Sequence, residues 1–124
     1  MKIKNLKIYT SAFNKIVLLD RISKYNIGSN TFEVKTINKK TAFGGVNVTP
    51  FDLAGGLPGQ LGFNFETPIS NILFMTNFVD GDLGPYGRTD LQQIQQIINN
   101  KKELQLLIMD SSRSAFPGRS IEKL

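Results

Sequence analysis

The sequence predicts an α+β fold that is mainly β: a small antiparallel sandwich or barrel with one helix, at about residues 89–100, and a long Gly/Pro-rich excursion. Three observations carry this reading. Short runs with a period of two recur along the chain, the pattern of half-buried strands. Nine of the eleven glycines and four of the five prolines fall between residues 44 and 87, so the middle of the chain must turn often. Apolar residues at clear helical spacing occur in one stretch, "TDLQQIQQIINN".

The elements follow in order. "KIKNLKIYT" sets Leu6 and Ile8 on one face and Lys7 and Tyr9 on the other, with Ile3 out of phase, and "NKIVLLD" reads as a second strand. "RISKYNIGSN" is a turn region reversing near Gly28 and Asn30. "TFEVKTI" alternates Phe32, Val34 and Thr36 against Glu33, Lys35 and Ile37, as a half-buried antiparallel strand does. "LGFNFE" places Leu61, Phe63 and Phe65 together. "NILFMTNFV" is apolar on both sides, so it is either central or presents one face to a partner.

The helix has Thr89 as its N-cap, Gln92 in capping-box position and Asp90 at the positive end of the dipole. Leu91, Ile94, Ile97 and Ile98 form its apolar stripe. "NNKK" is then a turn, "LQLLIM" a last strand, and "DSSRSAFPGRSIEKL" a polar tail whose one large apolar residue is Phe116. The 124 residues read as a single domain with four parts: a basic β-rich part (1–40), a Gly/Pro-rich interface loop (41–70), a strand-helix-strand segment (71–109) and the tail (110–124).

Composition closes most routes to catalysis. There is no cysteine and no histidine, hence no disulfide, no Cys/His zinc site, no Cys nucleophile and no Ser-His-Asp triad. Ser111, Ser112 and Ser114 lack a nucleophile-elbow motif, and the ten acids give no indication of a catalytic pair. Gly56, Gly59 and Gly62 precede a strand rather than a helix, and no lysine lies between Lys40 and Lys101, so the glycines are not a phosphate cradle. "DGDLG" at residues 80–84 lacks the later ligands of a calcium loop and reads as a tight turn. No enzyme activity, cofactor, metal or small-molecule substrate is expected. Nor is there an apolar run long enough to span a bilayer, and the run Ile16–Leu19 is too short for a signal peptide.

The net charge of +5 is segregated: +7 over residues 1–40, −4 over 41–90 and +2 over 91–124. Such a chain can pair head to tail with copies of itself. Its basic first third, with Lys2, Lys4, Lys7, Lys15, Lys39 and Lys40 among aromatic residues, offers the alternative of a small nucleic-acid-binding module.

The helix face made of Gln92, Gln93, Gln95, Gln96 and Asn99 carries no charge, which suits a polar interface, since an amide is desolvated at lower cost than a charge. The candidate subunit-interface residues are Phe43, Phe51, Leu53, Leu57 and Leu61 in the excursion, Gln92 and Gln96 on the helix, and Phe116 in the tail. In outline, a small β-rich subunit with a glycine-rich excursion, one helix and charged arms is similar to many phage tail, neck and capsid-decoration proteins. That resemblance of architecture implies a structural subunit of a symmetric assembly, located in a virion, with copies of itself and other structural subunits as partners. Under the nucleic-acid alternative the location is cytoplasmic.

Overall fold

The computed structural model describes residues 5–28, 32–98 and 102–110. The fold is α+β and mainly β, with two α-helices and several small open sheets among the described residues, none closed into a barrel. The chain divides into two compact units, Met1–Ile37 and Asn38–Leu124.

The first unit is β1 (Leu6–Thr10), α1 (Ala12–Lys24) and β2 (Phe32–Thr36). The segment "NKIVLLD" is helix, not the expected strand. Ser11 has an extended backbone and accepts the Asn14 N–H at 3.2 Å, a regular N-cap. Val17, Leu18 and Ile22 form the half-buried side, while Phe13, Ile16 and Leu19 are exposed on the other. Apolar residues therefore surround the helix, and the 3.6-residue period is hidden behind a short β-branched run. The helix absorbs the start of the expected turn and ends where Asn26 takes a positive φ of 50°.

With a helix between them, β1 and β2 pair in parallel, from Leu6 opposite Phe32 to Thr10 opposite Thr36, rather than as antiparallel neighbours. The alternation expected in β2 holds through Val34, which is buried between exposed Glu33 and half-buried Lys35, but not beyond it: Thr36 is exposed, and Ile37, expected on the face of Glu33 and Lys35, is buried after the strand ends. Ile3 lies outside the described residues.

The second unit is built on a five-stranded sheet. Its strands are β3 (Thr41–Phe43), β4 (Val46–Asp52), β6 (Leu61–Glu66), β7 (Asn71–Met75) and β11 (Leu104–Met109), in the order β11-β7-β6-β4-β3. The first four form an antiparallel meander, and β11 joins β7 in parallel after the helix α2 (Leu91–Ile98). The expected interface loop at 41–70 is thus mostly sheet. Its glycines make the connections: Gly44, with φ 60°, opens the two-residue turn between β3 and β4, the requirement of a type II′ hairpin. Pro50 is tolerated inside β4 because β3 pairs only with residues 46–48 and has ended before it.

One face of this sheet holds the core. Phe51, Leu73 and Met75 from the strands join Leu53 and Ile94, with Phe78, Ile97 and Ile98 packed around them. The inward residues of β6 are Gly62 and Asn64, not the phenylalanines that share a face in the sequence. A Cβ on Gly62 would fall on the Phe51 ring, so the aromatic residue of β4 fills the space left by the glycine opposite it.

Short pairings complete the unit. β5 (Ala54–Gly55) pairs with β8 (Phe78–Val79), which a bend at Asn77 (φ 51°) separates from β7. β9 (Gly81–Asp82) pairs with β10 (Arg88–Thr89) around one turn of 3-10 helix at Gly84–Tyr86. Of "DGDLG", Gly81 and Asp82 form β9 and the turn follows them, the Asp82 Oδ1 accepting the Gly84 N–H at 2.8 Å. The cap of α2 is Asp90, one residue later than expected: its Oδ1 accepts the N–H groups of Gln92 and Gln93 at 3.0 and 3.1 Å. Thr89 is instead buried in β10, where its hydroxyl accepts the Ala54 N–H at 2.9 Å. Residues 99 and 100 of the expected helix lie outside the described residues.

Gly87 sets a strict limit on this arrangement. Its φ is 97°, and a Cβ there would stand 2.7 Å from the Leu53 carbonyl oxygen, beside the most deeply buried leucine. Gly87→Ala is expected to destabilise the protein by about 2 kcal/mol or more, from backbone strain and the clash together. Urea titration followed by circular dichroism measures this; an unchanged midpoint contradicts it.

Candidate subunit interface

A polar lock fixes how the last strand joins the sheet. Asn71 is fully buried at the start of β7. Its backbone N–H donates to the Glu103 carbonyl at 3.0 Å, its Nδ2 donates to the Lys102 carbonyl at 2.9 Å, and its Oδ1 accepts from Asn64 Nδ2 at 3.2 Å. Both carbonyls belong to the approach to β11. The Oδ1 of Asn64 has no hydrogen-bond partner among the described residues.

Glu66, at the end of β6, works beside it. One carboxylate oxygen meets Lys40 Nζ at 2.7 Å and the other meets Lys102 Nζ at 3.5 Å. Lys102 Nζ also donates to the Thr67 carbonyl at 2.8 Å. Lys40 precedes β3 and Lys102 precedes β11, so one carboxylate ties the entries to both edge strands to the centre of the sheet. The hydrogen bond from Lys40 and its charge, reinforced by Lys102, hold the Glu66 carboxyl below its ordinary range of about 4.5 against an opposing desolvation cost.

What this frame leaves uncovered is apolar. All six residues of β11 are exposed, with Leu104, Leu106, Leu107, Ile108 and Met109 at 38–49%. In the first unit Phe13, Ile16 and Leu19 are exposed on α1, Ile16 at 70%. Isolated surface apolar residues need no explanation, but contiguous sets on one strand or helix face mark interaction surfaces.

The residues singled out from the sequence fall in different places. Phe51 and Leu53 lie in the core of their own unit, at 3% and 0% exposure; Phe51 belongs to β4 and Leu53 to the single residue between β4 and β5, and both cluster with Ile94 of α2. Phe43 and Leu61 are half-buried in β3 and β6. Leu57 is 60% exposed in the connection before β6, and Gln92 and Gln96 are exposed on α2. Phe116, Lys2 and Lys4 lie outside the described residues. Of the other lysines, Lys7 and Lys39 are exposed, Lys15 is half-buried on α1, and Lys40 is bound to Glu66. Lys7 and Lys15 belong to the first unit and Lys39 and Lys40 to the second; Glu33 stands opposite Lys7 in the β1–β2 pair, and Lys35, opposite Tyr9, is paired with Glu33 at 3.3 Å.

Sequence reasoning missed the α1 and β11 surfaces. The signal for β11 was present: "LQLLIM" has no charge and no alternation, the same two-sided pattern attributed to "NILFMTNFV". Among the described residues no cluster of three or more acidic side chains is placed to hold a metal, and no helix is long and apolar enough to cross a membrane. No family model and no curated protein sequence matches the chain.

The Glu66 pair gives a signed pH dependence. A carboxyl whose folded-state pKa is depressed contributes stability that is fully present above about pH 4.5 and is lost as the pH falls through the lower folded value. Glu66→Gln should therefore be less stable than the parent at pH 7, with the difference shrinking steadily below pH 4.5. Denaturant midpoints of both proteins at pH 7, 5 and 3 test this; a constant difference contradicts it.

Proposed function

We propose that the chain is a structural subunit of a symmetric multi-subunit assembly, a virion component of the phage tail, neck or capsid-associated kind, acting through protein surfaces rather than through a catalytic site. The observation that supports this is the pair of contiguous apolar surfaces, one in each unit: Phe13, Ile16 and Leu19 on α1, and Leu104–Met109 on β11. Two distinct sticky surfaces on one subunit propagate an assembly beyond a dimer, into rings or tubes when one contact is heterologous. Segregated charge along the sequence supplies orientation between neighbouring copies.

Placement in a virion rests on architecture and on a composition rich in lysine, isoleucine and asparagine, whose AT-rich codons fit a low-GC bacterium or its phage. The nucleic-acid reading has less support, because Lys24, Lys35, Lys40 and Lys102 are already paired with acids, and Lys7, Lys15 and Lys39 lie on different segments.

The purified chain should form species larger than a monomer in size-exclusion chromatography with light scattering, and closed rings or tubes in negative-stain micrographs. Ile16→Glu, at an exposed position, should weaken this association roughly tenfold or more without altering the circular dichroism spectrum. A chain that stays monomeric up to millimolar concentration contradicts the proposal.

A further inference from the structure

The two edges of the five-stranded sheet are not alike. β3 is three residues long and follows Lys40, a short and charged edge of the kind that discourages further pairing. β11 is six residues long, has β7 on one side only among the described residues, and contains no charge and no proline. Its regular part, Leu106–Met109, is apolar on both sheet faces: Leu106 and Ile108 lie opposite Ile72 and Phe74, Leu107 and Met109 opposite Leu73 and Met75. Long, flat, apolar edges are templates for another strand.

Resting on the assembly reading above, we propose that β11 pairs antiparallel with β11 of a second copy across a twofold axis at Leu107, joining two five-stranded sheets into one. Several features favour a second copy as the occupant. The strand is self-complementary: with Leu107 facing Leu107, Leu106 meets Ile108 of the partner on the same sheet face, and no charge within the strand opposes a like charge. Antiparallel pairing also separates the two Asp110 carboxylates, which an in-register parallel pairing would stack on each other. A twofold contact also closes on itself, leaving α1 as the surface for further growth.

The absence of cysteine makes the test direct, because Leu107→Cys introduces the sole thiol of the full chain. Facing residues of an antiparallel pair have Cα atoms about 4.5–5.5 Å apart, within disulfide reach. Under mild oxidation Leu107→Cys should form a covalent dimer at least about tenfold faster than Leu57→Cys, an exposed control outside the strand. In a second variant, Leu107→Lys, two ammonium groups would face each other, and self-association should weaken at least about tenfold with the circular dichroism spectrum unchanged. If the parent chain assembles while Leu107→Cys cross-links no faster than the control, the β11 contact is overturned and the assembly reading stands. A parent chain that is strictly monomeric overturns both, and open fibrils in place of closed dimers overturn the twofold contact.

Discussion

The arrangement of the larger unit depends on the amide of Asn71. β11 enters the sheet in parallel after a long connection, so no hairpin turn sets its register, and a slip of one residue would turn every side chain of the strand to the other face. Asn71 removes that freedom by bonding the Lys102 and Glu103 carbonyls at the strand's entry. A slipped register would leave a fully buried amide without its partners, at a cost of about 1–3 kcal/mol for each lost group. Asn64 holds Asn71 in turn, and Glu66 repeats the constraint outside the core through Lys102. With β11 fixed, the chain between β7 and β11 must cross the sheet face, which places Ile94 of α2 on Phe51, Leu73 and Met75.

That same lock creates the open edge. One face of the sheet receives a helix and one edge ends in a short guarded strand, while the other edge is held in place as a long uncharged strand. The first unit shows the same incompleteness on a smaller scale: two parallel strands are too few to be stable without cover, and their helix carries apolar residues on its outer side as well. Both units leave large apolar residues exposed on one element. A subunit whose remaining surface is buried only among its neighbours has this character, and the proposed assembly follows from it.

Some of this was legible in the residues. The strands Phe32–Thr36, Leu61–Glu66 and Asn71–Met75 and the helix carrying Ile94, Ile97 and Ile98 were each marked by a local pattern that shows where the element lies. α1 was hidden because its two sides are both apolar, one against its strands and one outward, which erases the period that distinguishes helix from strand. The glycine-rich stretch misled for a different reason. Its glycines and prolines mark turns between strands as readily as a loop, and only long-range pairing of Val46–Asp52 with Leu61–Glu66 decides between them. The inward face of β6 could not be read locally either, since a glycine beneath a phenylalanine from the next strand serves as core only through that pairing. At Thr89 and Asp90 either residue can cap a helix, and the choice was made by the distant Ala54 N–H, which takes the threonine hydroxyl.

The central claim is that β11 is a sheet edge completed by another subunit, and amide hydrogen exchange across protein concentration tests it most directly. In dilute solution the β11 amides that do not bond β7 should exchange as rapidly as exposed loop amides. As concentration rises through the assembly range they should become protected together, while the amides of β6, already bonded on both sides, remain unchanged. Protection in β11 that does not depend on concentration would contradict the account.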